Sequence, residues 1–411
     1  MAQSTIKGYG VGDMAFVSIP HPVGGIGQET VRTKVEAIFP DILRTATQWK
    51  ATAELPPQKP IYPAEGFQFR GTVEDVNKLF FEKGWSLGLP VIPPTPERVE
   101  AMLKGTNRKP DELLWEVPPR KGALTVELVA VHAVMAGCKP EYMPLLLAIV
   151  EGMKDPIFDW AGQTTTTNPT FPLIIVNGPI VKQLGIASGQ GAAGGGYHPN
   201  VSIGYFVNLI GDIVGGSKAP EPDKSTQGQA GNIIATVIGE NMEALPKGWK
   251  PLNVERGFGA ETSTVTVADV EGSRNMNIAQ PDTAKGVLDV IAIEMETIGP
   301  NNAVLYRGSG EGDVVLALCP QHAATIALGN MSKEDIKQYL FDNARVLYEK
   351  WRLNLRTIHL KDPWYAKFKP GDRVPVVDGP KNIIVVVFGG AGTHSQYFTG
   401  FMRPAVTKEV K

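Results

Sequence analysis

The chain has 411 residues, a formal net charge of −2, and 43% hydrophobic against 20% charged residues, the proportions of a soluble globular protein with an extensive buried core. Acidic and basic residues are interspersed, which argues against nucleic acid or an anionic membrane as partner, and no apolar run reaches the roughly 20 residues of a membrane-spanning helix. Met1 to Tyr9 lacks the apolar stretch of a secretion signal, and two cysteines, Cys138 and Cys319, make neither a disulfide framework nor a CxxC zinc motif, so the expected location is the cytoplasm.

Ala15 to Ile19 is a short apolar run of strand type, broken by "PHPVGG" around His21. Val31, Val35, Ile38, Phe39, Ile42 and Leu43 then recur at helical spacing. The opening therefore reads as strand, loop and helix, a fragment of a sheet whose other strands lie elsewhere. The proline-rich stretch Lys50–Gly66 has no periodicity and reads as a linker. Thr72 caps a predicted helix to Lys83, and Thr95 caps another with Pro96 at its first position. Leu124–Ala136 and Tyr142–Lys154 read as apolar helices joined at "GCKPE". Leu173–Val176 is a buried strand ending in "NGP", and a glycine loop leads into a helix over Asn200–Val214. Strands follow at Ile233–Ile238 and Thr264–Val270, the second alternating as though half exposed, then a helix over Ala284–Ile298. Strand, loop and helix recur around Cys319 and His322. A long helix, Ser332–Trp351, precedes a final apolar strand at Ile383–Phe388. The expected fold is α/β, with a mixed, mostly parallel sheet, flanking helices and an N-terminal strand-loop-helix fragment of a separate module. Residues 1–48 form that fragment, 49–70 the linker and 71–411 the main region. No internal repeat is evident, although a strand running into a glycine loop recurs four times.

Open α/β sheets bind ligands beyond the carboxyl ends of their strands, and the glycine-rich loops there carry the candidate residues. They are His21 in "IPHPVGG", Asn177 in "IIVNGP", Cys319 and His322 in "LALCPQH", and His394 with Ser395 in "FGGAGTHS". Gly390 and Gly392 let the last loop open. "GQGAAGGGYHPN" sets His198 before a helix, where bared N–H groups suit an anion, but it has neither GxGxxG spacing nor a phosphate-loop Lys-Ser/Thr. Arg256 in "VERGF" suits an anion or a structural ion pair. His132, mid-helix among valines and alanines, reads as packed core. The histidines lack metal-site spacing, so no metal ligand is assigned.

"GVGDMAFVSIPHPVGGIGQETVRTKVEAIFPDIL" resembles the closing strand, loop and helix of the UGSC family of bacterial (seleno)proteins. That family is named for a selenocysteine- or cysteine-containing U/C-G-S-C loop, and a "PHPxGG" segment matches Pro20–Gly25. "GWSLGLPVIPPTPERVEAML", "AVMAGCKPEYMP", "PLIIVNGP", "CPQHAATIA" and "GGAGTHSQYF" resemble the long region associated with it. Neither Cys138 nor Cys319 is followed by Gly-Ser-Cys, a departure from the pattern. The resemblance therefore implies that the loop lies upstream, beyond a UGA codon, or on a partner subunit.

Three functions follow. The first is a thiol- or selenol-dependent redox enzyme, or its substrate-binding part, acting on a small molecule. His21, His394, Cys319 and His322 are then its catalytic candidates, and Asn177, His198, Ser395, Gly390, Gly392 and Arg256 bind substrate. Its cofactor is left open, with selenocysteine outside this chain one form. The second is a lyase or hydratase complete in this chain, working through histidine and carboxylate groups or a divalent metal. The third is a non-catalytic partner subunit. An oligomer is expected.

Overall fold

Residues 14–20, 23, 26–50, 63–219, 225–300, 312–354 and 363–411 are described by the computed structural model of the chain. Helix α1 (Gln28–Gln48) forms as its periodicity predicts, yet none of its residues is buried, and Val35, Phe39 and Leu43 stay exposed. Ala15–Ile19 is not a strand: no segment among the described residues pairs with it, and its residues alternate between exposed and half-buried. Most of the expected linker, residues 51–62, lies outside the described residues.

Thr72 opens α2 (Val73–Glu82) with a capping box closed by Asp75, and Pro96 begins α3 (Pro96–Leu103). A hairpin follows that the sequence reading missed, β1 (Leu113–Val117) with β2 (Gly122–Thr125), feeding α4 (Val126–Met135) and α5 (Met143–Lys154). Next come β3 (Phe171–Asn177), α6 (His198–Leu209), β4 (Thr236–Gly239) and β5 (Thr264–Asn277). The chain continues through α7 (Ala284–Met295), β6 (Val314–Leu318), α8 (Pro320–Leu328) and α9 (Lys333–Asn343). Helix α9 stops at Asn343, short of the expected Trp351. There the chain turns extended into β7 (Arg345–Leu347), which pairs with β8 (Arg373–Pro375) and buries Val346. Last are β9 (Ile383–Val387), β10 (His394–Gly400) and β11 (Val406–Glu409).

The main sheet is mixed and flanked by helices, with strand order β4-β3-β5-β10-β6-β9 and β11 beside β5. It is not mostly parallel. Only β3–β4 and β6–β9 run parallel; β3–β5, β5–β10, β10–β6 and β5–β11 are antiparallel. The reason lies in the path, which the chain takes twice. A strand is followed by helix, a parallel neighbour, then an antiparallel return on the other side: β3, β4, β5 and again β6, β9, β10. The two returns pair with each other, so the halves meet about an approximate two-fold axis.

The sheet curls. Alternate residues of both halves, Leu173, Ile175, Ala317, Val386 and Phe398 among them, fill one interior core. The opposite faces are covered separately. Helices α3 to α6 pack on Ile174, Val176, Val265 and Val267, and α7 to α9 on Leu316, Val385 and Tyr397. Residues Thr264–Val270 are therefore buried throughout, not half exposed. Alternation there reports two different apolar environments. At Glu271 the ladder slips: Thr399 pairs with Gly272 and Gly400 with Val270, so Glu271 is the inserted residue of a bulge. This bulge, at a glycine with φ 157, turns Asn275 to the face that Ala268 and Val270 occupy before it.

Between the halves lies a buried ionic cluster. Lys333, at the start of α9, contacts Glu240 at 3.1 Å and Glu255 at 2.8 Å. Glu240 also accepts from the Leu252 N–H and the Asn177 amide. No described helix is long and apolar enough to cross a membrane.

Candidate functional site

The curled interior is open at one end, where two glycine loops face each other. Residues 189–194 come from the first half and 389–392 from the second. With Ala317, Phe388, Cys319, Asn275, His394 and Gln396 they line a cavity of about 400 Å³, the size of a small-molecule site. Approach of the loops is tight: a Cβ on Gly390 would lie 2.8 Å from that of Gln190. Gly389, with φ 94, turns the chain there and donates to the Ser188 carbonyl at 2.8 Å. The first loop is pinned by Asn200, a buried residue of α6. Its side chain accepts from the Ala187 N–H at 2.9 Å and donates to the Val237 carbonyl at 2.8 Å.

Cys319 leaves β6 and caps α8, with Pro320 fixing the first helical φ. Its sulfur reaches the cavity, and its thiol donates to the Gly392 carbonyl at 3.0 Å. Behind it sits a hydrogen-bonded chain. The Cys319 N–H donates to Ser395 Oγ at 3.1 Å, and Ser395 Oγ lies 2.7 Å from His322 Nδ1. His322 Nε2 is 3.1 Å from the Ile278 carbonyl, which only accepts. Nε2 therefore carries the proton, and in the neutral ring Nδ1 accepts from the Ser395 hydroxyl. Burial alone would raise the Cys319 pKa. The nearby His322 ring, whose positive charge would favour the thiolate once it holds a second proton, the His322 backbone and the Ser395 hydroxyl outweigh it, so the thiol is held below its ordinary value. Cys138 is the contrast. Burial among the helices of the first half pushes it up to about 12, eased only by Ser202.

The structure brings together Cys319, His322, Ser395, His394, Gly390 and Gly392. Ser395 and His322 stand behind the wall, with His322 buried; His394 sits at the exposed rim, its Nδ1 3.1 Å from Asn275 Oδ1. His21 lies outside the described residues. Three other candidates are elsewhere. Asn177 is fully buried, gives its amide to Glu240 and does not line the cavity. His198 is exposed at the head of α6, its ring beside Gly137 and outside the cavity wall. Arg256 pairs with Asp313 at 3.4 Å, and Asp313 precedes β6 whereas Cys319 follows it, so they mark opposite ends of that strand. His132 is core, as expected, its Nδ1 2.7 Å from the Leu128 carbonyl.

Gln396, Asn275 and Asn200 were missed. Gln396 had a usable signal: it stands two residues after His394, hence on the same face of any strand beginning there. Among the described residues no three of His, Cys, Asp and Glu are grouped as a metal ion requires. Because His394 is exposed and makes one side-chain hydrogen bond, His394→Ala should leave folding stability within about 1 kcal/mol of the parent in a urea melt. A larger loss would make it a structural residue. Compared with known proteins, the chain matches no family model, no curated protein and no solved structure.

Proposed function

We propose that the protein is a cytoplasmic thiol-dependent enzyme acting on a small molecule, with the Cys319 sulfur as its attacking atom. The observation that carries this reading is the difference between its two cysteines. Both are buried, but Cys319 lines a cavity with its pKa lowered by a histidine and a serine, whereas Cys138 packs among core helices with its pKa raised. Reactive cysteines sit at helix starts beside such partners, and inert ones do not. The resemblance to a family built around a thiol or selenol loop points the same way.

The step is redox-neutral. The thiol hydrogen leaves the Gly392 carbonyl for the Ser395 hydroxyl, which also contacts the thiol. As the S–H bond breaks, a proton passes on to His322 Nδ1, and the Ile278 carbonyl steadies the imidazolium from the far side. The sulfur lone pair forms a bond to an electrophilic carbon of the substrate. One pair of that carbon's π bond moves to the attached heteroatom, which afterwards takes the proton back from His322.

The test is covalent labelling followed by mass spectrometry of peptides. Substoichiometric iodoacetamide at neutral pH should modify Cys319 and spare Cys138, and Cys319→Ala should abolish the adduct. Equal modification of both, or of Cys138 alone, overturns the assignment. If Cys319→Ala keeps full turnover of a substrate while His394→Ala loses it, the histidine-based lyase reading takes its place.

A further inference from the structure

Helix α1 has 21 residues, none of them buried, and no described helix or strand packs along it. Most of a helix's stability in a protein comes from packing its apolar face, and Pro40 costs this one an interior hydrogen bond. Its more sheltered side is the row Val31, Ile38 and Thr45, which is half-buried. Beside that row runs a second one that is exposed at every position: Arg32, Val35, Phe39, Ile42, Ala46 and, at the helix cap, Trp49. Phe39 is 56% exposed, and so is Leu43 next to it.

Steps along the exposed row alternate between three and four residues, the 3.5-residue repeat by which one helix fits along another. The row's own ends select the partner. In a parallel pair of identical helices Arg32 would face Arg32, two like charges. Turned antiparallel, Arg32 faces Trp49 of the second copy, Val35 faces Ala46, and Phe39 faces Ile42. The guanidinium then meets an indole face, a favourable contact. Glu36, 3.7 Å from Arg32 in its own helix, flanks the seam, and Pro40 and Asp41 fall on the opposite face. The area is also sufficient. With a whole aromatic side chain worth roughly 150–250 Å², Val35, Phe39, Ile42, Leu43 and Trp49 leave about 400 Å² of apolar surface open per copy. That is close to the apolar share of an interface of about 800 Å² per partner. We infer that two copies of the chain associate through α1, paired antiparallel on this seam. The inference is independent of the Cys319 chemistry.

Sedimentation velocity on the full chain tests the association, and a disulfide tests its direction. At tens of micromolar the chain should run as a dimer and dissociate on dilution. Phe39→Glu, which puts a carboxylate into the seam of both copies, should weaken the dimer about a hundredfold. Arg32→Ala, which removes the contact with Trp49, should weaken it several-fold. For the disulfide, Val35→Cys and Ala46→Cys are combined in a Cys319→Ala chain, which takes the reactive thiol out of the experiment. Oxidation should give a covalent dimer whose peptides join position 35 to position 46. Within one helix those positions lie about 16 Å apart, too far for a disulfide inside a single copy. A monomer at these concentrations, with α1 left to another protein or to its own body, overturns the proposal. So does a dimer that Phe39→Glu leaves intact, or peptides that join 35 to 35.

Discussion

Replacing Lys333 by methionine should cost about 3–5 kcal/mol of folding stability, the range for removing one member of a buried ion pair. The lysine is 2% exposed and Glu240 1%, so no water reaches the carboxylate once its partner is gone. Methionine fills the same volume, which leaves the stranded charge as the main loss. Glu240 would keep only the Leu252 N–H and the Asn177 amide. Glu255 is better placed, because Lys337 also contacts it. Lys337→Met is therefore the internal control: Glu255 retains Lys333, and the loss should be well under half as large. Urea denaturation at neutral pH measures both. A loss below about 1 kcal/mol for Lys333→Met would mean that the cluster is solvated and does not hold the halves together. The double variant Lys333→Met with Glu240→Gln should recover part of the loss, since it removes the stranded charge.

The second large effect is on reactivity. Alkylation by iodoacetamide consumes thiolate, so its rate follows the ionised fraction of each cysteine. For Cys319 the rate should reach its plateau at lower pH than for a free thiol, because His322 and Ser395 favour the anion. His322→Ala should move the midpoint upward and slow the reaction at pH 7; Ser395→Ala should move it in the same direction. Cys138, raised to about 12, should stay unmodified across the whole range and so contributes no background. Stability follows with a defined sign. A thiol whose pKa is lower folded than unfolded contributes stability that is fully present above the unfolded pKa and lost as pH falls through the folded one. Parent and Cys319→Ala should therefore diverge in stability on the alkaline side and converge in acid. A His322→Ala protein with an unmoved Cys319 midpoint would remove the histidine from the mechanism.

Much of this site could be read in advance where the signal is local. Cys-Pro after five apolar residues announces a strand end and a helix start, and Ile383–Phe388 running into "GGAG" announces a strand delivered to an open turn. The capping box of Thr72 and Asp75 falls in the same class, because a cap is settled within four residues. What failed is whatever depends on distant chain. Asn177 follows a buried strand just as Cys319 does, but Glu240, 63 residues on, claims its amide. Arg256 suits an anion by type, yet Asp313 reaches it first. Asn275 was hidden by the bulge at Glu271: strict alternation from Val270 puts it on the helix-covered face, and one inserted residue reverses every side chain after it. Parallel pairing was overestimated because continuous apolar strands look alike whichever way their neighbours run.

The long-range pairings of β5 with β10 and β11 also set the order of events during folding. Thr266 and Thr407, whose hydroxyls meet at 2.9 Å, are 141 residues apart in sequence. Pairings of such separation form late, since the entropy of closing the loop must be overcome before the contact repays it. The loop at 190–194 and the loop at 389–392 face each other only once those strands have paired. A growing chain therefore carries Cys319 as an ordinary thiol, without Ser395 or the Ile278 carbonyl beside its histidine, until residues near 400 have been made. The lowered Cys319 pKa is thus a property of the finished fold, absent from the chain while it is being made.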